Sequence, residues 1–474
     1  MSVKIAVIGG GSSMFVPGLV RRLIEIPCFE GAELRLMDVD AARAHVMEDL
    51  STELAAAESR KLTVSSTTEQ REALRDADFV IVAISVGGMG AWANDIEIPA
   101  RYGVFMHIAD SIGPGGIFRA LRNTPVVASV AEDLSELAPK ALLLNYTNPA
   151  SANAIAMATV PSVRSLSLCS CSPLPLRRSW IADVIGVPEA EVVLPLAVGG
   201  INHCTGIMSL QLRDGRDAIP LVRGRTDSEI VRWAIDTFGV VPYCANHWVE
   251  FFPQLQRLEG PYAGRAQGLP MRYGTRIFDM EVQTTRVRSW EQIASVWRTE
   301  GGRHRLADLP NGPEDDRIIV AELMEAVIDD RSELFVVNVM NDGLVANLPP
   351  EAAVEVPAVV NAEGVHPIRI GSIPEGLATV LSHHARVQNL TALAALSGDR
   401  KILRQAMTAD PLLESTLEPP QLELMLEEML AANAQFLPRF FTTGAQKPAS
   451  IHSAGRTGGP VLRTRVLDVS EAGP

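Results

Sequence analysis

In the first 150 residues, short apolar runs alternate with stretches in which apolar positions recur every three or four residues. The apolar, strand-like runs lie at residues 4–8, 33–37, 62–64, 79–84 and 141–145. Segments that begin near Pro17 and Ala41 have the helical period. The run 79–84 is apolar throughout, as expected for a strand covered on both faces. This alternation predicts an α/β fold with a Rossmann-like, doubly wound parallel sheet.

Beyond about residue 195 the pattern becomes mixed. Strand-like runs at 207–212 and 334–339 are interspersed with helical patterns at 227–238, 315–331, 374–397 and 421–434. Residues 253–315 have no clear period, which predicts loops and short helices around a site. We therefore predict a Rossmann-like domain over 1–195, a mixed α/β (α+β) C-terminal domain over 196–445, and a mobile tail over 446–474.

Composition and charge narrow the class of protein. The 474 residues are 47% hydrophobic and carry a net charge of -14, which disfavours a nucleic-acid partner. No apolar run reaches the roughly 18–20 residues of a membrane span, and Val3 opens a strand pattern without an export signal. The cysteines are odd in number, which indicates a reducing compartment and no disulfide framework: Cys28, Cys169, Cys171, Cys204 and Cys244. We expect a cytoplasmic protein with no nucleic-acid or membrane partner.

A glycine-rich turn follows the first predicted strand. Glycines at this place let the backbone approach a dinucleotide pyrophosphate, and the following helix supplies N–H donors. Asp38 ends the next strand, where a carboxylate holds ribose hydroxyls and favours NAD over NADP. The alternatives are a tight turn without a ligand and a surface carboxylate. The predicted cofactor residues here are Gly9, Gly11, Ser12, Ser13 and Asp38.

Further polar clusters follow later predicted strands. Asp110 opens a loop with three glycines around a proline, which suits a polar ligand or an ordinary helix entry. Asn148 follows a strand at the edge where open parallel sheets bind ligands, or it caps the next helix. Cys169 and His203 offer a thiolate and an imidazole, which can share a divalent cation. A buried cysteine that only packs is the alternative.

In combination, these motifs resemble glycoside hydrolase family 4. The resemblance runs from about residue 3 to about residue 412. The motifs that carry it are Gly9-Gly10-Gly11-Ser12, Val86-Gly87-Gly88, Ile98-Pro99, Tyr102-Gly103, Asp110 with Gly113-Pro114-Gly115-Gly116, Phe118-Arg119-Ala120-Leu121-Arg122, Thr147-Asn148-Pro149, Leu168-Cys169, Gly200-Ile201-Asn202-His203, Val337-Asn338-Val339 and Val354-Glu355-Val356-Pro357.

The resemblance implies a glycosidase that uses NAD where most glycosidases use a pair of carboxylates. Hydride leaves sugar C3, the resulting ketone acidifies the C2 proton, and a base removes it so that the aglycone is eliminated. Water then adds and the hydride returns. A divalent cation, usually Mn²⁺ in the family, polarises the carbonyl. The implied residues are Val86 and Gly87 for NAD, Asp110, Asn148 and Asn202 for the substrate, and Cys169 (with Cys171 as rival) and His203 for the metal.

The chain departs from the family pattern in three places, and the first two bear on catalysis. Ser170 stands where well-known subgroups have Asp, Asn or His, and a serine is a poor general acid. In the segment that resembles the one with the C2 base, Tyr243 and His247 are the candidates. We favour His247, whose unperturbed pKa of about 6.5 suits a base. A structural histidine is the alternative.

The third departure concerns the substrate. Phospho-sugar members have an arginine after their Gly-Gly pair, whereas this chain has none after Gly87-Gly88 until Arg101. An unphosphorylated glycoside or a uronide is therefore expected. Candidate partners for a uronide carboxylate are Arg265, Arg272 and Arg276, which alternatively are solvated surface residues.

Two other functions compete with the hydrolase. One is an NAD-dependent dehydrogenase that oxidises a sugar without cleaving a glycoside, and the other is a non-catalytic NAD-binding sensor or scaffold. The resemblance also implies a homodimer or homotetramer, with the second domain forming the catalytic and oligomerisation part.

Overall fold

The computed structural model of the chain describes residues 2–106, 108–256 and 318–441, and the backbone of three two-residue strands outside those ranges. Those short strands are Arg265–Ala266, Leu269–Pro270 and Leu467–Asp468. The predicted loops over most of 253–315, the predicted tail, and the side chains of Arg265, Arg272 and Arg276 lie outside the described residues.

The strands of the described ranges form one sheet. They are β1 Lys4–Ile8, β2 Ala32–Met37, β3 Leu62–Thr67, β4 Phe79–Val82, β5 Leu142–Asn145, β6 Arg164–Ser167, β7 Val198–Ile201, β8 Cys204–Ile207, β9 Val241–Pro242, β10 Glu333–Met340, β11 Ala353–Asn361 and β12 Gly364–Arg369. The first six are parallel and lie in the order β3-β2-β1-β4-β5-β6, which is the Rossmann order. The predicted doubly wound parallel sheet is confirmed.

The later strands extend this sheet in antiparallel fashion. β10 joins β6 through Asn338 opposite Ser167 and pairs along its length with β11. β11 then joins β7 through Glu355 opposite Gly200, and β8 and β9 follow at that edge. The sheet thus passes without a break from the first 195 residues into the later part, and the boundary near residue 195 stays a prediction.

Helices cover both faces of the sheet. They are α1 Val16–Glu25, α2 Ala41–Ala57, α3 Gln70–Leu74, α4 Gly88–Arg101, α5 Gly113–Leu137, α6 Ala150–Met157, α7 Arg178–Ile185, α8 Ile219–Arg225, α9 Glu229–Phe238, α10 Ala245–Trp248, α11 Val320–Ile328, α12 Glu375–Ser397, α13 Arg400–Thr408, α14 Pro411–Thr416 and α15 Pro419–Ala432. Side chains of α1, α2 and α11 share one core with the sheet, and those of α3, α5 and α6 share another. In the part of the chain that the structure describes, no helix is long and apolar enough to cross a bilayer.

One predicted strand is misplaced. The run 207–212 was expected to form a strand, but β8 ends at Ile207 and the remaining residues make only isolated bridges. The apolar side chains of Leu210 and Leu212 are buried against α7 and α8, so their alternation reflects packing of a loop. Alternating burial alone does not distinguish such a loop from a strand.

Candidate functional site

The glycine-rich turn after β1 is shaped by backbone contacts that a side chain would block. Gly9 has φ 96°, and a Cβ there would lie 2.2 Å from the carbonyl oxygen of Ala83. A Cβ on Gly10 would lie 2.6 Å from Cα of Leu36. The Ser12 hydroxyl accepts a hydrogen bond from the N–H of Phe15 just before α1, and Ser13 is buried beside it. The turn therefore brings bare backbone to a helix start, as a bound pyrophosphate requires.

Asp38 is built into this turn. Its Oδ2 accepts a hydrogen bond from the N–H of Gly11 at 3.0 Å, and its Oδ1 accepts one from the N–H of Asp40 at 3.0 Å. A Cβ on Gly11 would lie 2.9 Å from that Oδ2. These two hydrogen bonds fix the carboxylate at the turn, which argues against the alternative of a solvated surface carboxylate.

Val86 and Gly87 form the equivalent loop after β4. The N–H of Val86 donates to Oδ1 of Asn123 at 2.9 Å, and its carbonyl accepts from Nε of Arg122 at 3.1 Å. Gly87 has φ 83° and is the N-cap residue immediately before α4. Two side chains of α5 therefore hold this loop rigidly at the carboxyl edge of the sheet.

The predicted cofactor, substrate and metal residues line up along that edge. Gly9 follows β1, Val86 follows β4, Asn148 lies just beyond β5 and Cys169 just beyond β6. These four strands are consecutive neighbours in the sheet. At about 4.8 Å per strand, Gly9 and Cys169 lie about 14 Å apart across the strands. One extended dinucleotide can span such a distance.

Asp110 is the centre of a buried polar cluster. Nδ2 of Asn148 donates to its Oδ2 at 2.8 Å, and the hydroxyl of Ser111 donates to its Oδ1 at 2.7 Å. That Oδ1 lies 3.6 Å from Nδ1 of His203 and 3.7 Å from Nδ1 of His247. The two imidazole rings stack with centroids 3.6 Å apart. The structure therefore brings together four of the predicted site residues.

The charges in this cluster reinforce one another. Burial alone would raise the pKa of Asp110, but the neighbouring His247 and His203 outweigh it and lower that pKa to about 2. Burial likewise opposes protonation of His203, yet Cys169 and Asp110 raise its pKa to about 9. Asp110 is thus an anion at neutral pH, and the position of His203 favours a positive charge, which a bound cation can supply in place of the proton.

A second set of potential ligands also includes His203. The sulfur atoms of Cys169 and Cys244 and a ring nitrogen of His203 all lie within 4.8 Å of one another, and all three residues are buried. The N–H of Cys171 donates to Sγ of Cys169 at 3.4 Å. Among the described residues, Cys171 belongs to neither set of potential ligands. The geometry therefore favours Cys169 over Cys171 as the metal cysteine.

The remaining predicted catalytic residues differ in their surroundings. Tyr243 is buried, and burial together with Glu355 and Cys169 raises its pKa well above the usual range. Ser170 is partly exposed. Asn202 is buried, and neither its amide nitrogen nor its oxygen has a hydrogen-bond partner among them. A buried amide of this kind normally forms hydrogen bonds with a ligand or a water molecule.

The sequence reasoning missed two carboxylates that position the site. Glu355 accepts hydrogen bonds from Ser172 at 2.6 Å, Thr205 at 2.7 Å and Asn338 at 3.2 Å. Ser172 in turn accepts one from the N–H of Cys169. Burial first, and the nearby Cys169 second, raise the pKa of Glu355. The sequence signal that could have identified Glu355 is the presence of an acidic residue inside the otherwise apolar run 353–360.

Glu250 is the second of these carboxylates. Its Oε1 accepts hydrogen bonds from the N–H groups of Ile108 at 2.6 Å and Ala109 at 2.7 Å. Ala109 has φ 62°, an unusual value for a residue with a side chain. Glu250 thus fixes the strained backbone immediately before Asp110.

Arg119 of α5 is a further feature that sequence reasoning did not assign. Its Nε and Nη1 are buried without a hydrogen-bond partner among the described residues, and Nη2 lies 3.4 Å from the hydroxyl of Ser85. Its guanidinium carbon lies 5.4 Å from the ring centroid of Trp92. Asp110 lies close enough to raise its pKa, although burial lowers that pKa overall. The guanidinium therefore has donors available for an anionic group.

The site fits the groups that the sequence suggested. The glycine turn packs closely against Ala83 and Leu36 only because Cβ atoms are absent, and Asp38 stands at its end. Sulfur, imidazole and carboxylate donors around His203 are ligands of divalent transition metals. The arrangement combines a dinucleotide turn, a cation site and a polar pocket on one sheet edge.

Known proteins share this architecture. Residues 4–174 match the profile of the family 4 glycosyl hydrolases, and residues 198–413 match that of their C-terminal domain. An alpha-galactosidase of Bacillus subtilis (strain 168) is 28% identical over 449 residues, covering 92% of this chain and 99% of the relative. An alpha-galacturonidase of the same strain is 28% identical over 458 residues, with 90% and 97% covered.

A solved structure agrees over nearly the whole fold. The 6-phospho-beta-glucosidase of Thermotoga maritima, solved with manganese, NAD⁺ and glucose-6-phosphate, superposes with a TM-score of 0.72. It is 23% identical and covers 92% of this chain and 99% of its own. With both sequence profiles matched in order along most of its length, the chain belongs to family 4 of the glycosyl hydrolases.

Proposed function

We propose that the protein is a redox-neutral glycosidase that uses NAD and a divalent cation, Mn²⁺ in the first instance, on an unphosphorylated glycoside or a uronide. The observation that carries the proposal is the convergence of Asp110, Asn148, His203 and His247 beside Cys169, on the sheet edge that begins at the glycine turn.

The chain's own residues supply two binding sites. Gly9, Gly11, Ser12 and Ser13 hold the pyrophosphate, and Asp38 holds the adenosine ribose, with Val86 and Gly87 beside the rest of the dinucleotide. Cys169 and His203 hold the cation. When bound, NAD supplies reversible hydride chemistry at sugar C3 and the cation supplies a Lewis acid next to it.

His247 removes the C2 proton in this proposal. Asp110 is ionised and lies 3.7 Å from Nδ1 of His247, so it orients the ring and stabilises the imidazolium that forms. Tyr243 is a poorer base because its raised pKa disfavours the phenolate. Asn148 and Asn202 hold sugar hydroxyls, and for Asn202 the support is its buried, unpartnered amide.

Leaving-group protonation is the weakest step of this site. Ser170 is the residue beside the metal cysteine, and a hydroxyl is a poor acid at neutral pH. We therefore expect the enzyme to cleave glycosides with acidic aglycones, such as p-nitrophenol, much faster than alkyl glycosides.

Arg119 supports a uronide among the possible substrates. It has buried donors available and lies near Asp110 in the same cleft. Guanidinium groups bind carboxylates through parallel hydrogen bonds. The curated alpha-galacturonidase relative fits this substrate class, and the alpha-galactosidase relative fits a neutral glycoside.

A panel of p-nitrophenyl glycosides and uronides tests the proposal, assayed with and without NAD, Mn²⁺ and a thiol reductant. We expect cleavage that needs all three additions, no net NADH, and solvent deuterium at C2 of the product sugar. Stoichiometric NADH without cleavage would show instead the sugar dehydrogenase, which the poor acid Ser170 favours. NAD binding without either reaction would show a sensor.

We also infer that the enzyme works in the cytoplasm as a homodimer or homotetramer. None of the five cysteines, all of which lie in the described part of the chain, forms a disulfide, and a cation site built on thiolates needs a reducing compartment. The oligomeric state rests on the resemblance to family 4. Light scattering coupled to size-exclusion chromatography measures it directly.

A further inference from the structure

The cation site contains one more potential ligand than the sequence assigned. Cys244 caps the start of α10, and Cys169 and His203 follow β6 and β7, so the three residues come from separate segments. Their ligand atoms lie within 4.8 Å of one another, and each residue is less than 8% exposed. In tetrahedral zinc sites, the ligand atoms lie about 3.5–3.8 Å apart, as follows from metal–ligand bonds of about 2.0–2.3 Å. Small side-chain rotations are enough to close this set around one ion.

We propose that Cys244 is a third protein ligand of the cation in this cleft, which raises the affinity of the site for thiophilic divalent cations such as Zn²⁺ relative to Mn²⁺. The inference rests on the proposed function only for the presence of a cation beside the dinucleotide. Two sulfurs and one imidazole with a fourth position left open is a known arrangement for catalytic zinc. Mn²⁺ prefers oxygen ligands and gains little from a second thiolate.

His203 belongs to both this sulfur-containing set and a second set with nitrogen and oxygen ligands. In the second set, ligand atoms of Asp110 and His247 also lie within 4.8 Å of His203 and of each other. Cys244 adds a soft ligand to the first set and so influences which ion the cleft prefers.

The natural order of stability already favours Zn²⁺ over Mn²⁺ at any such site, so the informative quantity is the change in that ratio when Cys244 is replaced. Removal of residues that only support a ligand commonly costs 10–100-fold in metal affinity. For Cys244→Ser we therefore expect Zn²⁺ affinity to fall by about 100-fold or more, and Mn²⁺ affinity by less than about tenfold.

The test uses the full chain freed of metal under reducing conditions, with Co²⁺ as a spectroscopic probe and chelator competition for Zn²⁺ and Mn²⁺. The wild-type protein should show sulfur-to-cobalt charge-transfer absorption of two thiolates. Cys244→Ser should show about half that intensity, and the neighbouring Cys171→Ser should show it in full. Melting temperatures with NAD verify that both variants are folded.

Three results would overturn the inference. The first is full charge-transfer intensity in Cys244→Ser, and the second is a Zn²⁺ to Mn²⁺ affinity ratio that the substitution leaves unchanged. The third is a halved intensity in Cys171→Ser. Since none of these measurements requires turnover, a protein that binds Co²⁺ through two thiolates but cleaves no glycoside would refute the proposed function and leave this inference intact.

Discussion

The glycine turn after β1 and the cleft beyond β5, β6 and β7 lie on the same sheet edge but are built in opposite ways. The turn is made of backbone within one short segment, and its shape depends on Cβ atoms that are absent from Gly9 and Gly10. The cleft is made of side chains that converge from segments as distant in sequence as Asp110 and Glu355.

Because of this difference, the two regions respond differently to amino-acid substitutions. A single added methyl group can block the turn, because neighbouring backbone occupies the space around it. The cleft depends on charge and proton positions, because its polar side chains contact one another.

The largest expected effect is on the cleft, from His247→Gln. General-base catalysis is worth about 10²–10⁴-fold, so we expect kcat to fall by about 10³-fold. Exchange of the sugar C2 proton with deuterated solvent should be lost, while NAD affinity remains near that of the wild type. Proton exchange followed by NMR, together with steady-state kinetics, measures both.

Tyr243→Phe is the matched control for that prediction. Since its raised pKa disfavours the phenolate, removal of the hydroxyl should lower kcat by less than about tenfold. Loss of C2 exchange in Tyr243→Phe, with exchange preserved in His247→Gln, would transfer the role of base to the tyrosine.

The next largest effect is on the turn, from Gly9→Ala. The new Cβ would meet the Ala83 carbonyl oxygen 2.2 Å away and would be held at φ 96°. Strain and overpacking together should cost about 4 kcal/mol of unfolding free energy, and NAD binding should be lost. Denaturant unfolding and calorimetric titration with NAD measure these quantities.

Gly31→Ala separates the two causes. Gly31 also has a positive φ, 79°, but a Cβ there meets nothing within 4 Å. We expect it to cost only about 1 kcal/mol and to leave NAD affinity unchanged. Equal losses in the two variants would mean that backbone strain alone, and not the close approach of Ala83, shapes the turn.

The same contrast explains what the sequence could predict. Hydrophobic periodicity located the Rossmann strands and most long helices, because burial on both faces leaves a local pattern. It missed β7, β9, β11 and β12 and placed a strand at 207–212, where apolar side chains pack from a loop. The antiparallel extension of the sheet depends on long-range pairing such as Asn338 with Ser167, for which no local pattern exists.

The site divides in the same manner. The turn residues and Asp38 followed from a motif. Asn148, Cys169 and His203 followed from their places after predicted strands, and the resemblance to family 4 supplied their roles. No local sequence pattern indicated that Cys244 would approach Cys169, or that Glu355 would lie near Cys169. Those contacts arise from the order of strands across the sheet, which the sequence alone did not give.

A smaller effect is expected from Glu355→Gln, which removes charge beside the cation site without removing volume. Oγ1 of Thr205 lies 2.7 Å from the carboxylate and 2.9 Å from the carbonyl oxygen of Ile201. With glutamine, that hydroxyl can accept from the amide and donate to the carbonyl, so the fold should persist. Affinity for Mn²⁺ should fall by about 10-fold.

Glu333→Gln on β10 is the control, since this glutamate pairs with Arg331 at the surface. It should leave Mn²⁺ affinity unchanged in the same chelator competition. An unchanged affinity in Glu355→Gln would mean that the buried carboxylate supports packing alone.

The smallest effect on activity is expected from His384→Gln, behind the cleft. Nε2 of His384 lies 2.9 Å from the carbonyl oxygen of Phe251, in the segment that carries Glu250. Burial lowers its pKa from 6.5 to about 4, against a smaller opposing effect of that hydrogen bond. A glutamine can keep the donor, so activity at neutral pH should change little.

The lowered pKa of His384 should affect the free energy of unfolding below neutral pH. Between pH 6.5 and 4 the unfolded chain binds a proton that the folded chain does not, so stability falls as the pH is lowered. At about 1.4 kcal/mol per pKa unit, His384 alone costs about 3 kcal/mol by pH 4. Buried Asp95 and Asp410, whose pKa values are raised to about 6, act in the opposite direction. The contribution of His384 is therefore isolated only by the difference in stability between two variants.

Urea unfolding of the wild type and of His384→Gln from pH 7 to pH 4.5 provides that difference. We expect the variant to lose less stability across this range, while the exposed neighbour variant His383→Gln follows the wild type. Parallel curves for all three proteins would mean that His384 has the same pKa in the folded and the unfolded chain. In that case the hydrogen bond from Nε2 of His384 to the carbonyl oxygen of Phe251 would offset the effect of burial on this pKa.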